Sequence, residues 1–553
     1  MEEAARLGVW EVDPRKWTSV EPTPSSNTTT STHATALNTF ALAGLRSIFS
    51  TTSPCSDFTF HVLEKAPFTF RPLSDPHKVS LRNNNAGSSN IPSRQCWDEL
   101  WKTWDLITLG MIPEDMILQK PIELRHKCLF YIGHIPTFLD MMLCKTLGGE
   151  PSEPKYFWDI FERGIDPHVD DPDHCHNHSA VPTCDSDWPT LTTIISFRDQ
   201  VRARLNRLYD ALESGERKIN LAMARTLVMT FEHEAFHVET ILYMLIQRAG
   251  TGTRPPPGFT KPFWSHLVER WDAGAGKIRL PLPVLGPTTI TMGHDDSEAD
   301  DYTVNGHIAV EGPERVVDRE FGWDNESPAR RVKVGKFKAE WSPVTNAQFE
   351  RFWRSENSKG NVVAMPASWV LEGEAVMVRT VYGPVSMDIA KHWAVLTSYD
   401  DLLKYARAKG GRLPTEPELR LFLDTYDVGY DGGANIGFRN WHPVPPSMGL
   451  GGTDGKGSNG GVWEWTSTAF ATHEGLVPTQ LFTGCVLSPA LALYARLTKI
   501  FRYSTDFFDG VHHVALGASY ATLPRLTRRT LKNFYQHNYP FPWVGARVVY
   551  DVV

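Results

Sequence analysis

Residues 231–240 read FEHEAFHVET, which places His233, Glu234 and His237 in a His-Glu-x-x-His pattern. On a helix, positions i and i+4 share a face, so the two imidazoles can meet one ion. The same string marks zinc metalloproteases, where the glutamate is the general base. Leu227, Phe231, Ile241, Leu242 and Leu245 make the segment mostly apolar. Two histidines with Glu232, Glu234 and Glu239 inside such a helix need partners, because a lone buried polar group is costly. The bland alternative is a pair of hydrogen-bonded core histidines. A protease needs a third ligand, and here the HxxGxxH extension is missing and Glu269 lies past a linker. His134, in LFYIGHIPTFLD, is a third histidine in a second apolar segment, with Pro136 placed to kink it. If the two segments face each other, three neutral imidazoles with open positions would suit iron(II), copper or zinc.

A second cluster, DHCHNHSAVPTC at 173–184, packs His174, Cys175, His176, His178 and Cys184 together. It lacks CxxC-type spacing and lies in a Pro/Asp-rich stretch, so it reads as a surface loop without a metal.

The elements that must carry these residues are helices. RQCWDELWKTWDLITLGM reads as a first helix capped by Ser93, and IELRHKCLFYIGHIPTFLDMMLCKTLG as a second, bounded by Pro121 and Gly148. ISFRDQVRARLNRLYDALESG closes on Gly215 as a third, and KINLAMARTLVMTFEHEAFHVETILYMLIQRAG is a fourth. Four such helices predict an antiparallel bundle over 94–250, a scaffold able to hold a metal in its core. Residues 1–93 include the Ser/Thr/Pro-rich EPTPSSNTTTSTHATA and read as partly disordered. Residues 251–280 open with Pro/Gly-rich sequence and read as a linker. From 281 to 553 short β-like runs among many Gly, Pro and Trp residues predict a loop-rich α+β domain.

Of 553 residues, 41% are hydrophobic and 22% charged, which fits a globular chain of two or three domains. A net charge of −8 without a long basic run argues against nucleic acid. We see no secretory signal and no run of apolar residues long enough for a membrane span. Seven scattered cysteines favour a reduced, cytoplasmic protein.

GHIPTFLD followed by FEHEAFHVET resembles the DinB-like iron-binding bundle of the ergothioneine-biosynthesis sulfoxide synthases. WDNESPARRVKV, SPVTNAQFERFW, GRLPTEPEL, NGGVWEWTSTAF and WVGARVVYD resemble the formylglycine-generating-enzyme-like domain, of C-type-lectin fold, that follows it. The likeness covers roughly 94–553 in the same order and is nearest the fungal branch. It implies a non-haem Fe(2+) held by His134, His233 and His237, with Glu239 able to orient a ligand imidazole. It further implies hercynine, a cysteine-type thiol and O2 as substrates, joined through a C–S bond and oxidised to a sulfoxide. Fungal forms usually carry a histidine methyltransferase domain ahead of this module. The first 90 residues leave no room for one, so a separate methyltransferase is expected to supply hercynine.

The chain departs from that pattern at identifiable positions. Phe236 stands where bacterial relatives use a glutamine to hold the substrate imidazole. Asn533, Phe534 and Tyr535 stand at an Asn-Trp-Asp segment that grips γ-glutamylcysteine, so free cysteine is the expected donor. Of a Tyr-x-x-Tyr pair near the iron only Tyr503 remains, as the candidate acid. The apolar and basic stretch 485–502, CVLSPALALYARLTKIFR, reads as an insertion just before it. An altered relative, a thiol dioxygenase or a non-enzymatic metal-binding paralogue, is the alternative, with a metalloprotease behind it.

Overall fold

The computed structural model describes residues 29–52, 59–73, 91–164, 169–170, 179–247, 252–275, 279–301, 316, 319–479, 481 and 504–552. The fold is α+β, a helical bundle followed by a domain of short strands and helices.

The bundle helices are α2 (Arg94–Asp105), α3 (Cys128–Leu147), α4 (Leu191–Ser214) and α5 (Leu221–Gln247). Ser93 caps α2 by accepting from the Cys96 amide, and a π-helical turn over Leu106–Met111 continues it. Gly148, at φ +74°, ends α3, and Gly215 ends α4 in the left-handed region that glycine alone enters without strain. Pro136 lies inside α3, which continues through it. The α3 helix starts six residues later than the sequence reading placed it, because residues 122–127 form turns. Both α4 and α5 pack on α3, and α2 packs on α5.

The C-terminal region has a four-stranded sheet in the order Asn533–Gln536, His512–Gly517, Trp463–Ala469, Val544–Gly545. Motifs quoted above turn out to frame it. Thr345 of PVTN and Thr415 of RLPTE each start a helix with a reciprocal capping box, to Gln348 and Glu418. Glu464 of GGVWEW and Arg547 of WVGAR form a fully buried ion pair at 2.7 Å. One continuous cluster of buried side chains runs from Trp97, Leu205 and Leu242 in the bundle to Trp369, Trp463 and Trp543 beyond it.

Part of the N-terminal region is ordered. Helix α1 (Thr29–Leu42) precedes an antiparallel hairpin of Leu45–Thr52 and Thr59–Lys65. The α1 helix docks on the C-terminal region, where Asn38 donates to the Asp431 carbonyl at 3.1 Å and accepts from Arg439 at 2.7 Å. Among the described residues, no helix is long and apolar enough to cross a membrane.

Candidate metal centre

His134 projects from α3, and His233 and His237 from α5. Each offers a nitrogen, and the three nitrogens lie within 4.8 Å of one another. Among the described residues this is the one His/Cys/Asp/Glu group that could hold a metal ion. The ring centroids are 5.1 Å apart for His134–His233, 4.8 Å for His134–His237 and 4.6 Å for His233–His237.

The chemistry of the nitrogens fits a cation. His134 Nδ1 lies 2.7 Å from the Phe161 carbonyl, an acceptor only, so Nδ1 carries the proton and Nε2 is the basic nitrogen. His233 Nε2 and His237 Nε2 approach to 3.2 Å. Burial, then the neighbouring imidazoles, hold His233 well below the ordinary histidine range; burial, then His134, does the same for His237. Neutral imidazoles converging in this way could hold a metal ion. Phe138 stacks on His233 at 3.9 Å and Phe130 on His134 at 5.5 Å, which walls the group with apolar surface.

The three glutamates of the helix take different roles. Glu234 is turned toward α2 and α4, where Trp101, Arg202, Asp105 and Arg198 surround it, and burial pushes its carboxyl up to about 8. Held among these groups of α2 and α4 rather than beside the histidines, Glu234 is not placed as a metalloprotease base. Glu232 accepts from Trp323 Nε1 at 3.0 Å and from Arg528 Nη1 at 2.6 Å. Glu239 accepts from Trp463 Nε1 at 2.9 Å and Thr522 Oγ1 at 2.6 Å. The sequence reading set Glu239 beside a ligand imidazole. Its carboxylate oxygens instead bind the C-terminal region, through Trp463 and Thr522.

The other expected site residues separate. Phe236 packs edge-on against Trp323 at 6.0 Å. Tyr535 is half-buried; desolvation, then the nearby Glu239 carboxylate, pushes its phenol well up. Asn533 Nδ2 donates to Tyr535 Oη at 2.8 Å. Phe534 is a correction: it stacks on Phe470 at 3.9 Å in a different core cluster. Alternate residues of a strand face opposite sides, so Asn533 and Tyr535 cannot share a face with Phe534. Tyr503, most of the His/Cys cluster at 173–184 and all of 485–502 lie outside the described residues.

Residues missed by the sequence reading border the triad. Tyr131, three positions before His134, lies 6.2 Å from the His237 ring, and its buried hydroxyl has no hydrogen-bond partner among the described residues. Arg125 donates to Tyr539 at 3.3 Å and Tyr243 at 3.4 Å, joining both helices to the C-terminal region. The i, i+3 spacing of Tyr131 and His134 was the available signal. Further along α5, Arg225 and Met229 line a cavity of about 810 Å³ with Trp323, Asp324 and Leu481.

Residues 94–241 match the DinB superfamily and residues 294–430 the sulfatase-modifying factor enzyme 1-like domain. The chain therefore joins a DinB-type bundle to a formylglycine-generating-enzyme-type domain. It is similar to the fungal ergothioneine biosynthesis proteins. It is 33% identical to ergothioneine biosynthesis protein 1 of Neurospora crassa over 90% of this chain and 61% of that one. Identity to the Schizosaccharomyces pombe protein of the same name is also 33%, over 83% of this chain and 56% of the other. Hercynine oxygenase of Mycolicibacterium thermoresistibile is 27% identical over 59% of this chain and 68% of its own length. The chain spans less than two thirds of the fungal relatives it matches.

Proposed function

We propose that this chain is a non-haem iron(II), O2-dependent sulfoxide synthase of ergothioneine biosynthesis, joining cysteine to the imidazole of hercynine. The observation that carries the reading is the three-imidazole group shared by α3 and α5. The names of its relatives, which concern ergothioneine biosynthesis and hercynine, supply the substrate class. His134, His233 and His237 would hold the ion. Iron(II) held there would supply one-electron O2 chemistry and would acidify a thiol substrate.

The chain's own residues prepare the site. The Phe161 carbonyl fixes the His134 tautomer. Phe130 and Phe138 exclude water from the ligand side. Glu232 and Glu239 set the rotation of α5 through their partners in the C-terminal region. Asn533 and Tyr535 are the substrate contacts we assign, with Phe236 lining the same side and Tyr503 as the acid.

Anaerobic loading with iron(II), then addition of hercynine, cysteine and O2, should give a product of the mass of hercynylcysteine sulfoxide. No such mass from a chain carrying one iron would sink the reading. In parallel, His134→Ala should lower iron content by about tenfold or more, since each ligand matters on that scale. Full iron retention would remove His134 from the ligand set.

A further inference from the structure

Far along the sequence from the triad, the C-terminal region buries a guanidinium that finds no acceptor. Arg420, on the Glu416–Tyr426 helix, is 8% exposed. It donates no hydrogen bond to any described residue, and its interactions with Asp424, Arg529, Glu416 and Asp427 are electrostatic only. A guanidinium carries five N–H donors and cannot shed its charge in a protein. With no acceptor among the described residues, these donors remain available to an anionic ligand in the space beside them.

Arg420 lines a cavity of about 270 Å³ together with Arg528, Arg529, Asp424, Asp427 and Asn459. The acids of this wall do not serve it. Asp424 accepts from Arg529 Nε at 3.0 Å to each oxygen and from Arg529 Nη2 at 2.7 Å. Asp427 accepts from the Gly429 amide and makes no hydrogen bond to Arg420 among the described residues. Arg528 spends three of its N–H groups on Glu326 and Glu232 and keeps others. Arg529 has its Nη1 unspent among the described bonds.

We propose that this cavity binds a small oxyanion of the phosphate class, with Arg420 as the principal donor and Arg528 and Arg529 beside it. Planar guanidinium forks match the paired oxygens of such an anion. The site is separate from the histidines and does not depend on the reading of their chemistry. It touches them through one group: the Arg528 guanidinium also holds Glu232, the residue before His233.

The test is calorimetric titration of the full chain, without added iron, with inorganic phosphate, a phosphate monoester, and sodium chloride at matched ionic strength. One saturable site is expected for inorganic phosphate or for the monoester, and the tighter of the two identifies the source. Arg420→Met should weaken binding by about tenfold or more, and Arg420→Lys by less, because it keeps the charge and loses the fork. His134→Ala should bind as the unaltered chain does. Heats no larger than those of chloride would overturn the proposal, as would unchanged affinity in Arg420→Met. If circular dichroism shows Arg420→Met unfolded, Arg420→Lys decides: unchanged affinity there overturns it.

Discussion

The Thr479 amide and the Ser504 hydroxyl share one acceptor. Both donate to the Asp324 carboxylate, the amide at 3.2 Å to Oδ2 and the hydroxyl to Oδ1. Asn325 adds a bond to the same hydroxyl at 3.0 Å. The two ends of the stretch 480–503 are therefore clamped together by the DNE motif.

This clamp makes the insertion testable. With 485–502 deleted, residues 480–484 and Tyr503 would still connect two points that are already adjacent. We expect the deletion variant to fold with an unchanged melting temperature and to form more product than the full chain. A misplacement of ~1 Å can cost about a hundredfold in rate, so the gain should be large. Equal product formation by both versions would refute it.

Arg528 compensates two carboxylates that are themselves buried, Glu232 at 1% and Glu326 at 1% exposure. Arg528→Met leaves both without that cation. The expected cost is about 3–5 kcal/mol, read from denaturant unfolding, since removing one partner strands the other's charge. Stability within error of the unaltered chain would show that the other partners suffice, Arg525 at 3.4 Å from Glu232 and the Thr530 hydroxyl at 2.6 Å from Glu326.

Tyr535 stands where an aspartate would grip the amino group of γ-glutamylcysteine. Competition kinetics should show a higher kcat/KM for free cysteine. Tyr535→Asp should shift the ratio toward the dipeptide. A native preference for the dipeptide would show the reading wrong.

Asp427 has its folded pKa raised to about 6, against an unfolded value near 3.9. The folded state therefore holds more protons than the unfolded state between those values. Stability falls as pH rises through the window, and the penalty is fully present above about pH 6. Asp427 is exposed at the surface, so solvent screens most of this penalty: Asp427→Asn should raise stability at pH 8 by about 0.5 kcal/mol or less and leave it unchanged below about pH 3. A gain that is the same at both pH values would exclude this cause.

What the sequence showed depended on the range of the signal. Helix limits at Ser93, Gly148 and Gly215 are local, and the structure places them where the residues indicate. The i, i+4 spacing of His233 and His237 is local too. His134 meets them only because α3 packs on α5. The partners of Glu232 and Glu239 were not legible, because Arg528, Trp463 and Thr522 lie more than 200 residues away. Phe534 was misread because a motif carried over as a block ignores the two-fold alternation of a strand. Helix α1 was missed because Ser and Thr dominate TTSTHATALNTFAL, whose side chains offer little apolar periodicity.

The anchoring of α5 at Glu232 and Glu239 has a thermodynamic consequence. Seven residues apart, both carboxylates are bonded to groups of the C-terminal region, and one core cluster crosses between the two parts. Two segments that look modular as text are then a single cooperative unit. Scanning calorimetry of the chain should show one endotherm in place of two. The bundle expressed alone would expose two carboxylates built for partners it no longer has.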